Sequence, residues 1–342
     1  MRIAQIMLAK GFGGAERSFV DLCMRLAARG HEVLAILEPR GVAARLLTAH
    51  AHLTRGEVRV LGSWDPLARR AIGRALAAFA PDVVQCHLAR AAHLGGAAAR
   101  GLGLPVLAKT HNYVDLKYYT ALDRLVPTTR DQFDYLRTHG IAEVRLALIP
   151  NFSAIEAVAS PPVPANDPPI LAAAGRFVAK KGFDVLLRAI ARLDEPLRLR
   201  LAGSGPEEAA LRALAESLGI ASRVEFMGWV DDVRSVLDGA DLFVLPSHDE
   251  PFGIVVLEAM ALGVPLVSTM TAGPREILDA ATALLVPIGD VDALAAAIAS
   301  TLAAPGAARA RAAVALDRFR ERYSAGAVVA RYEALYAELV RR

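Results

Sequence analysis

Short apolar runs alternate along the chain with longer segments in which Ala and Leu recur at helical spacing. In the first half the runs are IAQIML (3–8), VLAIL (33–37), VRVL (58–61), DVVQ (82–85), PVLAK (105–109) and RLALIP (145–150), and a helical stretch spans 15–29. Near-continuous apolar runs of this length suit strands buried on both faces. Their alternation with helical segments is the rhythm of a parallel sheet covered by helices on each side. ASPPVPANDPP (159–169), with five prolines among small residues, then reads as a linker or domain entry. The rhythm restarts with PILAAA (169–174), LRLRLA (197–202), RVEFM (223–227), DLFVL (241–245), VPLVS (264–268) and ALLVP (283–287). The stretch from 312 to 342 reads as one or two amphipathic helices. The expected fold is therefore α/β, with two doubly wound, Rossmann-like parallel-sheet domains over 1–160 and 161–318, followed by a C-terminal helix over 319–342.

Composition agrees with two cores. The chain has 342 residues, 54% hydrophobic and 22% charged, enough apolar material for globular packing and too little charge for disorder. No apolar run reaches about 18 residues, so no transmembrane helix is expected. The start, MRIAQIMLAKGFGG, reads as a strand and turn, not a signal peptide. Cys23 and Cys86 lack metal-ligand spacing and read as reduced thiols of a cytosolic protein. Net charge is +3, but residues 1–165 carry 20 Lys+Arg against 13 Asp+Glu, and residues 166–342 carry 19 against 23. The basic half suits an anionic partner such as a membrane surface, an anionic glycolipid or nucleic acid, or is an ordinary solvated surface.

Candidate chemistry lies where strands end. Gly11-Phe12-Gly13-Gly14-Ala15-Glu16-Arg17 follows the first strand and opens a helix, where free amides and glycines let a phosphate approach. A dinucleotide fingerprint would need Gly where Glu16 stands, although Glu38 could imitate its ribose-binding acid, so NAD binding is a minor reading. After the second domain's first strand, Arg176 and Lys181 lie on one loop with Gly182 opening a helix; together they could clamp a diphosphate, or be surface charge at a turn. Gly203-Ser204-Gly205-Pro206 is a third such turn. In HDEPFGIVVLE (248–258) Glu250 falls in a loop after DLFVL, and a helix from Phe252 or Gly253 to about Leu262 carries Glu258. Amides near Phe252 and Gly253 could hold an anion, while the carboxylates accept hydrogen bonds from a ribose diol and from sugar hydroxyls. The competing structural reading makes Glu250 a first-turn capping acid and Glu258 a solvated helix residue.

PSHDEPFGIVVLEAMALGVPLVST (246–269) resembles the E-x7-E signature of retaining GT-B glycosyltransferases of family 4. GGAER, THN (110–112), the IPNFS hinge, GRFVAKKGFD and LAGSGP fall in that family's order, so the resemblance spans nearly the whole chain. The resemblance implies that Arg176 and Lys181 hold a donor diphosphate, Glu258 the nucleotide ribose and Glu250 the donor sugar hydroxyls. It implies that Gly13 and Gly14 approach the phosphates from the opposite domain, that Gly203, Phe252, Gly253 and Ile254 complete the donor set, and that His111 contacts the transferred sugar. The catalytic set is then His111, Glu250, Arg176 and Lys181. Glu276 and the 271–273 loop are further donor-site candidates, and His87 ends a strand as His111 does.

The implied reaction is transfer, with retained configuration, from a UDP- or GDP-sugar to a cell-envelope glycan or glycolipid in lipopolysaccharide or polysaccharide biosynthesis. The family's leaving phosphate takes the acceptor proton on the same face, and domain closure about 150–168 completes the site. No Asp-x-Asp occurs: Asp231-Asp232 are adjacent, and Asp238 and Asp241 are three apart. No cofactor and no metal are expected, the two cations standing in for one. The expected partners are a nucleotide sugar, a glycan or glycolipid acceptor and an anionic membrane surface, not nucleic acid. The expected location is cytoplasmic, peripheral on the inner face of the membrane. The alternatives are a nucleotide-sugar epimerase of the same fold, a non-catalytic nucleotide-sugar sensor and, weakest, a two-domain dehydrogenase.

Overall fold

A computed structural model describes the whole chain except Phe12, Pro164, Ala165 and Arg342. These four lie outside the described residues. The chain forms two compact units, Met1–Ala154 with Ala325–Arg342, and Ile155–Ser324.

The first unit holds β1 (Arg2–Met7), β2 (Glu32–Leu37), β3 (Leu53–Glu57), β4 (Val83–His87), β5 (Val106–Thr110) and β6 (Arg124–Pro127). They form one parallel sheet in the order β3-β2-β1-β4-β5-β6. The second holds β7 (Ile170–Ala174), β8 (Arg198–Ala202), β9 (Val224–Gly228), β10 (Leu242–Leu245), β11 (Leu266–Thr269) and β12 (Leu284–Val286). Their order, β12-β11-β10-β7-β8-β9, repeats the first with the unit's own strands. Both faces of each sheet are covered. Along β1, Ala4 and Ile6 enter one core while Ile3 and Met7 enter another, and β7 divides Leu171 and Ala173 from Ala172 and Ala174 in the same way. Period-2 alternation between two apolar faces is what made these strands read as unbroken apolar runs. Strand order reverses between β1 and β4 and again between β7 and β10. Such switch points leave a crevice at the C-terminal strand ends where ligands of doubly wound sheets bind.

Two strands differ from the sequence expectation. β3 is LTRGE, not VRVL (58–61), and β6 is RLVP, which no apolar run marked. Both lie at sheet edges, where β3 has no partner on one side and most of its side chains face solvent. RLALIP (145–150) is not a strand. It runs beside β6, with the Ala147 amide donating to Leu125 O and the Ile149 amide to Pro127 O. The unit boundaries also shift. Residues 155–160 belong to the second unit, because Ile155, Ala157 and Val158 pack on its core and the Val158 amide donates to Ala261 O at 2.9 Å. Residues 319–324 belong there too, since Phe319 and Tyr323 are buried in that core. Helix Ala325–Val340 completes the first unit, burying Val328, Val329, Tyr332, Leu335, Tyr336 and Leu339 against β1, β4 and helix Gly14–Ala28.

Cys23 and Cys86 are free and buried, and burial pushes both thiols well up. No single helix among the described residues is long and apolar enough to cross a membrane. Helices Val291–Ala303 and Pro305–Arg322 qualify only as a pair, bend by 100° at their junction, and bury Leu294, Ile298, Ala315 and Phe319 in the protein's own cores.

Candidate active site

The loops after β7 and β10 flank the second unit's switch point and are locked together by backbone. The His248 and Asp249 amides donate to Lys180 O at 2.8 and 3.2 Å. Gly182, at φ +63°, caps helix Phe183–Ile190, and a Cβ there would lie 2.2 Å from Pro246 O. The turn after β8 closes on the same loop: a Cβ on Gly203 would lie 1.8 Å from Gly175 O, and one on Gly205 2.3 Å from Phe177 O. Three glycines are thus required by contact, since any side chain would drive these loops apart. Arg176 is exposed at the head of the loop. Lys181 folds back along Gly175 and pairs with Glu250, the two side chains keeping only 17% and 10% of their surface.

Glu250 is held from both sides. Its carbonyl accepts from the Gly273 amide at 2.9 Å, and its Cγ lies 3.3 Å from where a Cβ on Gly253 would stand. Gly253, at φ +91°, begins helix Ile254–Ala261 without a side-chain cap, so the first-turn amides are left to water or a ligand. Glu258 lies in the second turn, half-buried, between Leu257 and Ala259, which are fully buried. Ile254 is half-buried against the core. The Phe252 ring turns into the core, 6.4 Å from Tyr323, so only its backbone is on the ligand side of the loop. Gly273 presses against that backbone; a Cβ there would lie 2.3 Å from Phe252 Cα. Two hydroxyls beside this loop, Ser247 Oγ and Thr271 Oγ1, are buried without a hydrogen-bond partner among the described residues. Glu276 is exposed on helix Ala272–Ile277.

In the first unit Gly13 is the N-cap of helix Gly14–Ala28, again with no capping side chain. His87 ends β4 and His111 follows β5. His87 Nδ1 and His111 Nε2 are 3.2 Å apart. His87 Nε2 lies 2.9 Å from Gln5 Oε1, Gln5 Nε2 donates to the Tyr336 hydroxyl at 3.1 Å, and that hydroxyl donates to Gln85 Oε1. Lys109 is fully buried on the same side of β5 and donates to Ser18 Oγ at 2.8 Å, with its Nζ over the Tyr332 ring. Burial lowers its pKa to about 7, against the pull of Asp21. Burial and the nearby Lys109 charge also hold both imidazoles well below the usual range. Glu38 is engaged elsewhere: burial opposes its charge, but the Val60 amide at 2.8 Å and the Arg40 guanidinium outweigh it and lower its pKa. A carboxylate committed to Arg40 and to the Val60 amide is a poor ribose ligand, which removes the feature that favoured NAD.

Comparisons with known proteins bear on the family and the fold. Residues 156–315 match the family model described as glycosyl transferases group 1, and residues 12–156 match that of glycosyltransferase family 4. The lipopolysaccharide core biosynthesis glycosyltransferase LpsE of Rhizobium meliloti is 35% identical over 298 residues, 85% of this chain and 86% of LpsE. The chain belongs to the group 1 glycosyltransferases. LpsD of the same organism, also a lipopolysaccharide core biosynthesis glycosyltransferase, is 32% identical over 331 residues, 95% of each chain. Anabaena HepE, solved in complex with UDP, superimposes with a TM-score of 0.83 at 20% identity, covering 100% of both chains. The fold of this glycosyltransferase is GT-B.

Within this glycosyltransferase, Arg176, Lys181, Gly203, Glu250, Phe252, Gly253, Ile254 and Glu258 all belong to the second unit, on or beside loops at its switch point. Gly13, Gly14 and His111 belong to the first. Sequence reasoning named the 271–273 loop that carries Thr271 but missed Ser247, Gln5, Gln85 and Lys109. A signal existed for the last three, since polar residues inside AQIM, VVQC and VLAK interrupt strands otherwise made of buried apolar side chains.

Proposed function

We propose that this glycosyltransferase moves a sugar from a UDP- or GDP-sugar to a lipopolysaccharide-core or related cell-envelope glycan, with retention of anomeric configuration. One observation carries the donor reading: the Lys181–Glu250 pair stands beside the uncapped helix start at Gly253, at a switch point where cation, carboxylate and free amides converge. The acceptor class follows the names of LpsE and LpsD. As the glycosidic bond breaks, negative charge grows on the departing diphosphate. Arg176, Lys181 and the amides from Gly253 onward stabilise it; removing one such preorganised donor typically costs about 3–4 kcal/mol of barrier. Glu258 accepts hydrogen bonds from the ribose diol and Glu250 from the sugar hydroxyls. Gly13 and Gly14 let backbone amides approach the donor phosphates, and His111 contacts the transferred sugar. The leaving phosphate receives the acceptor proton on the face it vacates, which retains configuration without a protein nucleophile. Because Arg176 and Lys181 supply the positive charge, transfer is expected to persist in EDTA.

Thermal stabilisation by a panel of UDP-, GDP- and ADP-sugars, with and without EDTA, tests the donor reading. One nucleotide sugar should stabilise the wild type selectively in EDTA, and Glu258→Ala should abolish most of that shift. Stabilisation by NAD alone, unchanged in the variant, would overturn it. The anomeric proton coupling of the product reports retention.

A further inference from the structure

The three most exposed large apolar side chains among the described residues fall within one turn of chain: Leu61 at 90%, Trp64 at 69% and Leu67 at 75% of their full accessibility. Leu61 and Trp64 lie on the segment after β3, and Leu67 in the first turn of helix Pro66–Phe79 that follows it, all in the first unit. We propose that this crest docks on the interfacial zone of an anionic lipid bilayer.

Exposure here is built, not incidental. The Asp65 carboxylate accepts from the Leu61 amide at 3.0 Å on one oxygen, and from the Leu67 and Ala68 amides at 3.0 and 2.9 Å on the other. One side chain thus caps the helix and ties down the loop, which holds Leu61 and Trp64 outward and spends the local negative charge on backbone amides. The Trp64 ring is fixed as well, edge-on to His93 at 4.2 Å between centroids.

Charge then selects the partner. Residues 58–81 contain Arg59, Arg69, Arg70 and Arg74 and a single acid, Asp65. All four arginines are exposed. Leu67, Arg70 and Arg74 are spaced three and four apart, so they share one stripe of the helix, while Ala68, Ile72 and Leu76 face the core. Trp and Leu with arginines on the same exposed face is the composition that sits at a lipid headgroup boundary, with rings and apolar tips inserted and cations at the phosphates. A second copy of the chain fits less well, since a two-fold contact through this crest would oppose arginines to arginines. Nucleic acid would satisfy the cations and leave Leu61 and Leu67 against water.

Trp64 is one of two tryptophans, so Trp229→Phe makes it the sole indole reporter in the full chain. The protein is mixed with phosphatidylcholine vesicles with and without phosphatidylglycerol. Co-sedimentation with the anionic vesicles, a blue shift of Trp64 emission and its quenching by brominated acyl chains are expected. Leu61→Ser/Leu67→Ser should abolish the sedimentation, and Arg70→Glu/Arg74→Glu should weaken it at least about tenfold. No sedimentation with anionic vesicles would overturn the proposal. So would binding with unchanged Trp64 emission, or a dimer in sedimentation velocity that the double Ser variant dissociates. The variants should keep donor-dependent thermal stabilisation, so failure of the vesicle assay leaves the transfer reaction untouched.

Discussion

Two neutral imidazoles facing each other nitrogen to nitrogen can place only one proton between them, and the first unit decides which ring supplies it. Gln5 Nε2 donates to Tyr336, so Gln5 Oε1 faces His87 and requires a proton on His87 Nε2, 2.9 Å away. That short contact outweighs the Gln85 amide, 3.3 Å from the same nitrogen. His87 Nδ1 is then an acceptor, His111 Nε2 its donor, and His111 Nδ1 keeps a lone pair. Burial and the charge on Lys109, which faces both rings, keep them neutral. Nitrogen-15 spectra at pH 7 should therefore show both rings neutral with the proton on Nε2. Tyr336→Phe removes the hydroxyl that fixes both glutamines. It should mix the His111 tautomers and cost about 1–3 kcal/mol of stability through the polar groups left unpaired. A proton on Nδ1 of both rings in the wild type would reverse the assignment. This tautomer presents an acceptor at His111, which suits a sugar hydroxyl rather than a phosphate oxygen.

At the scale of elements, the donor loops stay together because specific glycines let backbone meet backbone. Gly182→Ala forces a left-handed Ala and a methyl 2.2 Å from Pro246 O. Roughly 3 kcal/mol of destabilisation is expected, together with weaker donor binding. Gly219 has a similar φ, +71°, with nothing within 4 Å of its Cβ position. Gly219→Ala should cost only the backbone term of about 1–2 kcal/mol and leave donor binding unchanged. Chemical denaturation of the two variants separates contact from conformation, and equal losses would mean that the loop approach is unimportant. These glycines also show what a sequence can and cannot convey. GRFVAKKG and GSGP announced turns at strand ends, but only the folded chain brings Gly203 to Gly175 O and Gly182 to Pro246 O. Likewise the Lys181–Glu250 pair joins residues 69 apart in sequence, a contact no local pattern encodes. Central strands were legible because burial on both faces leaves apolar runs. Edge strand β3 was not, since a strand with one neighbour and a wet face carries polar residues such as Thr54, Arg55 and Glu57; β6 is buried, but its four residues, opened by Arg124 and closed by Pro127, are too short an apolar run to stand out.

At the scale of the molecule, the first unit is built from two separate stretches of chain, so its stability depends on the last helix. Ala325–Val340 buries six apolar or aromatic side chains in the core around β1 and helix Gly14–Ala28. Each such burial is worth roughly 1.5–3 kcal/mol, so together they rival the whole 5–15 kcal/mol that keeps a typical domain folded. Polar anchors leave with them: Glu333 pairs with Arg29 at 2.7 Å and His31 at 2.8 Å, Glu338 pairs with Arg124 at 2.8 Å, and Tyr336 bridges Gln5 and Gln85. Truncation after Ser324 should therefore unfold the first unit while the second keeps both of its cores, because Ile155–Ser324 is continuous. Limited proteolysis of the truncated chain should leave a resistant fragment from about residue 155 to 324 and digest the rest. Calorimetry should show the loss of one transition. If residues 1–154 stayed protease-resistant, the helix would be an accessory, and the Tyr336 route to His111 would lose its structural basis at the same time.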